Sequence, residues 1–215
     1  MTAYPEVERK EFVSLDRLAR ELKTVEGIAA DYATFSGTGE PSLASNLGEA
    51  IRLVKSALKL PVGVLTNSSL MPREDVRREL ALADVVVAKV DAPTEEIFRK
   101  INRPIGSQTL AGILKALQLF REGYHGKLAL QMMFIEANKS YAVGMAKIAE
   151  QLSPDEVQIN TPLRPCGMTP LAPEEIAAVE REFSNFQNVF TVYGALKPEV
   201  MPFDLAETLR RRRKL

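Results

Sequence analysis

The residues best suited to chemistry sit where apolar runs end. Ser36-Gly37-Thr38-Gly39-Glu40-Pro41 follows a short apolar stretch. Its two glycines let the backbone turn tightly and approach a ligand without a Cβ in the way. Glu40 then sets a carboxylate beside exposed backbone groups. That combination suits a zwitterionic amino acid, with carbonyl and carboxylate oxygens toward its ammonium and amides toward its carboxylate. The same residues equally suit a plain turn ahead of a helix. Asn67 follows VGVLT, Lys89 and Asp91 close DVVVAKVD, Gln131 interrupts KLALQMMFI, and Gln158 and Asn160 lie in EVQIN. Residues two apart in a strand share a face, which pairs Lys89 with Asp91 and Gln158 with Asn160. Inside an apolar run Gln131 is expected to be buried and in need of partners. Lys89 needs a counter-charge for the same reason, and Asp91 is the nearest.

Other catalytic patterns fail in detail. Gly37-Thr38-Gly39 lacks the third glycine of a dinucleotide loop, and no GxxxxGK[ST], HExxH or GxSxG occurs. His125, the single histidine, lies in a Tyr-His-Gly turn and reads as an exposed turn residue. Cys166 is the single cysteine. It excludes an internal disulfide, and any zinc or iron–sulfur site built from several cysteines of these residues. The net charge of zero gives no global attraction to nucleic acid or anionic membrane. There is no membrane-length apolar run and the first ten residues are polar, so a cytoplasmic setting is expected.

These residues are positioned by an alternation of helix and strand. Apolar periodicity predicts helices over 14–23, 45–59, 73–81, 95–100, 109–123, 141–152 and 173–183. Strands are predicted over 32–36, 61–66, 84–91, 127–135 and 156–160, with one more at 189–193. Repeated βα units imply a parallel sheet, either open and doubly wound or a full or partial barrel. Both architectures bind ligands at the C-terminal ends of their strands. No flexible linker divides the chain: 1–196 reads as one domain, and 197–215, with its run Arg210 to Lys214, as an appended basic tail.

Four stretches carry a family resemblance: TFSGTGEPSL, VLTNSSL, VVVAKVDAPTEEIFRKINRP and DEVQINTPLRP, in that order. Together they resemble the radical S-adenosylmethionine (radical SAM) superfamily, and most closely its small iron–sulfur oxidoreductase-like proteins. The resemblance implies a partial (βα)6 TIM-like barrel, here lacking its first βα unit. It implies that Gly37, Thr38, Gly39 and Glu40 meet the methionine amino group of S-adenosylmethionine. Asn67 and Asp91 would serve the ribose or carboxylate, with Gln131 a weaker candidate, and Ile159 and Asn160 would lie near the adenine. Family members carry a [4Fe–4S] cluster on a CxxxCxxC triplet, ahead of the segment matching Met1 to Glu11. Without that triplet the chain is expected to be a truncated, inactive radical SAM domain. The alternatives are a cluster-free SAM-binding or scaffold remnant, and an unrelated aldolase-type barrel enzyme using Lys89. The substrate is not legible, and self-association through an exposed first strand is expected.

Overall fold

The computed structural model describes residues 8–37, 39–164 and 166–195; Thr38 and the 197–215 tail lie outside the described residues. Six strands form one sheet: β1 (Ala33–Phe35), β2 (Val62–Thr66), β3 (Val85–Lys89), β4 (Lys127–Met133), β5 (Glu156–Asn160) and β6 (Val189–Thr191). All are parallel and lie in sequence order, each paired with the next. A doubly wound sheet reverses its strand order at a switch point. The strictly sequential order here is that of a barrel wall. β1 and β6 do not pair with each other, so the wall is an open arc, and the predicted partial barrel is what forms.

The helices are α1 (Leu15–Lys23), α2 (Leu47–Leu58), α3 (Glu74–Leu80), α4 (Glu95–Asn102), α5 (Leu110–Gly123), α6 (Ala142–Leu152) and α7 (Pro173–Arg181). Their ends follow local chemistry. Ser14, Thr94 and Thr109 accept backbone N–H groups at the starts of α1, α4 and α5. Pro173 opens α7, where its missing N–H costs nothing. α2 through α7 connect successive strands, and their apolar faces join Val62, Val64, Val86, Ala88, Leu128, Leu130, Met132, Val157 and Ile159 in one core. None of the described helices is long and apolar enough to cross a membrane.

Gly126 shows how tightly the β3–β4 corner is built. A Cβ there would lie 2.7 Å from the Asp84 carbonyl oxygen and would overlap the Tyr124 hydroxyl. Tyr124 stacks on Phe120 with ring centroids 4.6 Å apart and donates to the Ala83 carbonyl at 3.0 Å. Its phenol is pushed well above the ordinary tyrosine range, by burial first and then by the charges of Asp84 and Asp155. Gly126→Ala is therefore expected to destabilise the chain by about 1–3 kcal/mol through overpacking. Urea unfolding should show a lower midpoint with an unchanged slope.

Candidate functional site

The two faces of the sheet differ. The register places Gly63, Val85 and Lys127 in one row, Leu65, Val87, Ala129 and Glu156 in the next, and Lys89, Gln131, Gln158 and Phe190 above them. These residues point away from the helices. Phe190 is 47% exposed and Leu65 36%, while Lys89, Gln131, Glu156, Gln158 and Asn160 are half-buried. The expectation that Gln131 is buried is corrected here. On β4 Leu128, Leu130 and Met132 are buried toward the helices, while Gln131, on the other side, is only half-buried.

The glycine loop sits at the C-terminal end of β1. Gly37 has φ 152°, a backbone region that side-chain-bearing residues rarely occupy. A Cβ on Gly37 or Gly39 would meet nothing within 4 Å, so the backbone there is bare and approachable. Glu40 does not project freely. Its Oε1 accepts from the Ser42 amide (3.1 Å), the Ser42 hydroxyl (2.6 Å) and the Thr66 hydroxyl (2.6 Å), and its Oε2 accepts from the Asn67 amide (2.7 Å). The carboxylate thus caps the short 3-10 turn Pro41–Leu43 and fastens it to the end of β2. Thr66 Oγ1 in turn accepts the Ser68 amide, and Asn67 Oδ1 the Ser69 amide. Asn67 itself is exposed at this rim.

Asp91 is a buried junction rather than an open ligand group. Its side chain is 1% exposed. Oδ1 accepts the Met133 amide at 3.0 Å; Oδ2 accepts Asn102 Nδ2 at 3.0 Å and pairs with Lys89 Nζ at 2.9 Å. The predicted Lys89–Asp91 pair therefore forms. Lys89 is held as an ion pair, unlike the desolvated free amine an aldolase-type nucleophile requires. Asn138, fully buried, completes the junction. It accepts the Ile135 amide at 2.7 Å and donates to the carbonyls of Asp91 and Met133, both at 2.9 Å.

A chain of side-chain hydrogen bonds crosses the open face. Lys127 pairs with Glu156, and this bond raises the Lys127 pKa. Gln158 Nε2 donates to Glu156 at 2.7 Å, and Gln131 Nε2 donates to Gln158 Oε1 at 3.1 Å. A carboxylate only accepts, so Glu156 fixes the amide orientation of Gln158 and, through it, of Gln131. A cleft of about 480 Å³ opens beside this chain, lined by Glu156, Gln158, Asn160 and Phe190 with Thr191, Val192 and Ala195. Asn160 faces it, whereas Ile159 is fully buried under the helices and its carbonyl oxygen accepts the Val192 amide at 3.0 Å.

The site thus brings Gly37, Gly39, Glu40 and Asn67 together at one end of the arc and Gln131 and Asn160 at its middle and far side. Ser42, Thr66, Asn102 and Glu156 support them; of these, Asn102 and Glu156 were not anticipated. The donor set does not fit an iron–sulfur cluster. Cys166 is the one thiol, is exposed, and follows β5; among the described residues no cluster of histidine, cysteine, aspartate or glutamate could hold a metal ion. A cluster bound here would need thiolates from outside these 215 residues.

Comparison with known proteins agrees with the fold. A UPF0026 protein of Methanocaldococcus jannaschii is 32% identical over 190 residues, 85% of this chain and 59% of the relative. A UPF0026 protein of Synechocystis is 35% identical over 159 residues, 74% of this chain and 60% of the relative. The chain therefore spans about 60% of the length of these curated relatives. Among solved structures, SuiB of Streptococcus suis bound to S-adenosylmethionine superposes with TM-score 0.62 at 13% identity, covering 80% of this chain and 42% of SuiB. At that identity the likeness concerns the fold. The sequence model of the Radical SAM superfamily matches residues 3–147, well over half of the chain, and the chain belongs to that superfamily.

Proposed function

We propose that this chain binds S-adenosylmethionine on the open side of the arc, at the C-terminal ends of its strands. One observation carries the reading: Glu40 fastens a bare two-glycine loop to the end of β2, directly at the rim of an uncovered sheet face. Backbone carbonyls around Gly37 and Gly39 then meet the methionyl ammonium. Asn67 serves the ribose or carboxylate. Asn160 lines the adenine side beside the 480 Å³ cleft, while the buried Ile159 backs it from the core. The Gln131 side-chain Oε1 accepts no donor among the described residues and is open to a donor of the bound molecule. Asp91 contributes by holding the rim rather than by contact. The reductive, cluster-dependent cleavage of the family is not assigned to these residues alone, because they hold one thiol.

The test is calorimetric titration with S-adenosylmethionine after anaerobic incubation with iron and sulfide, with protein-bound iron assayed in parallel. Saturable binding at one site with substoichiometric iron is expected. Folded protein that gives no binding isotherm overturns the assignment. Stoichiometric, chelator-resistant iron overturns the cluster-free part of it.

A further inference from the structure

The segment just ahead of α1 runs along the far side of the glycine–glutamate loop. Arg9 is its anchor, with a side chain only 11% exposed. Its Nε donates to the Ser42 carbonyl at 2.9 Å and its Nη2 to the Ala44 carbonyl at 2.7 Å. The same guanidinium pairs with Asp75 at 2.8 Å through Nη1, and with Glu79 through Nη2. The Lys10 amide donates to the Leu43 carbonyl at 3.1 Å, and the Ser45 amide to the Lys10 carbonyl at 3.0 Å. Lys10 and Ala44 form a parallel bridge, and Asn46 Nδ2 donates to the Val13 carbonyl at 2.9 Å.

These contacts complete the account of the 3-10 turn Pro41–Leu43. A short helical turn leaves amides unpaired at its start and carbonyls at its end. Glu40 takes the Ser42 amide at the start. Arg9 and Lys10 take three successive carbonyls at the end, those of Ser42, Leu43 and Ala44. One guanidinium spans two carbonyls and two carboxylates because its planar donors diverge in a fixed fork, a geometry an ammonium lacks. It also separates Asp75 and Glu79, two acids one helical turn apart on α3 that would otherwise repel. Asp75 is held down to about 2, through its bond to Arg73 first and with Arg9 contributing, whereas burial raises Glu79 against the opposing pull of Arg9.

We infer that Arg9 is a positioning residue for the ligand loop: with Glu40 it grips the turn from both ends, and so sets the backbone that presents Gly39 to the bound molecule. The inference rests on the S-adenosylmethionine reading for its ligand and on the geometry alone for its mechanics, and the two can fail separately.

The experiment uses the whole chain as wild type, Arg9→Ala and Arg9→Lys. Amide hydrogen exchange is followed across 37–47 and across β4 to α6, and S-adenosylhomocysteine binding is measured by calorimetry. In Arg9→Ala, exchange rises in 37–47 while β4 to α6 keeps wild-type protection, and affinity drops about tenfold, as expected for lost charge-assisted bonds. Millimolar guanidinium restores protection and affinity in part; Arg9→Lys does not match wild type in either. Should Arg9→Ala fail to fold, Arg9→Lys carries the same test against wild type. Unchanged exchange in 37–47, or a rise spread evenly over the chain, overturns the positioning role. If the wild type does not bind S-adenosylhomocysteine, the ligand reading falls, and the exchange data still decide whether Arg9 holds the loop.

Discussion

Replacing Glu40 with glutamine is expected to weaken S-adenosylmethionine binding by about a hundredfold and to lower the melting temperature by several degrees. The carboxylate has four donors and no other role visible in the fold. A glutamine keeps one acceptor oxygen and turns an NH2 group toward the other donors. Placed opposite Ser42 and Thr66, the amine meets an N–H and two hydroxyls; placed opposite Asn67, it meets that backbone N–H. The second orientation is the better one and still leaves a donor facing a donor, a cost of about 1–3 kcal/mol, while the remaining bonds lose their charge assistance. Because Glu40 joins the loop to β2 at Thr66 and Asn67, the error appears in the ligand loop. Calorimetry and thermal melts on Glu40→Gln and Glu40→Ala check this. A melting temperature that falls while affinity stays at the wild-type value would make Glu40 a structural cap only. No change in either would mean that the clamp is dispensable.

Why Glu40 was legible and Arg9 was not is a matter of range. Glu40 belongs to a local motif, six residues at the end of one strand, and its type and spacing carry the signal. The partners of Arg9 lie 33 to 70 residues away along the chain, and nothing near Arg9 marks it. Helices were legible because their apolar faces repeat on the core, as Leu18 and Leu22 do in α1. Strand identity was legible too, and so was sidedness for Lys89 with Asp91 and for Gln158 with Asn160, but not along β4. In KLALQMMFI the apolar residues around Gln131 mask the alternation, although Lys127, Ala129, Gln131 and Met133 share one side and Leu128, Leu130 and Met132 the other. EVQIN alternates strictly, so Ile159 and Asn160 had to point to opposite faces, and only Asn160 faces the open side. A parallel strand buried on both sides hides no alternation; an arc with one uncovered wall displays it.

The uncovered wall also sharpens what Asp91 should do. Asp91→Ala is expected to cost about 3–5 kcal/mol, the range for breaking a buried ion pair from one side. For a chain of this size that lowers the melting temperature by roughly 6–20 °C. The loss has three parts: the Met133 amide and Asn102 are left without an acceptor, and Lys89 loses its counter-charge. Lys89 is 34% exposed, so its ammonium can turn toward water, whereas Asp91, at 1%, cannot. Removing the lysine instead strands a buried carboxylate on two hydrogen bonds, and Lys89→Met should destabilise as well. The double variant Asp91→Asn with Lys89→Met removes both charges while keeping an acceptor for Met133, and should recover much of the loss. If Asp91 acts only by holding the ends of β3 and β4 together, ligand affinity falls with stability in Asp91→Ala and returns with it in the double variant. Affinity that stays low after stability has recovered would place Asp91 in contact with the bound molecule. Denaturant unfolding and calorimetry on the same three variants separate the two, because the fold needs an acceptor at this position and a ligand contact needs the charge.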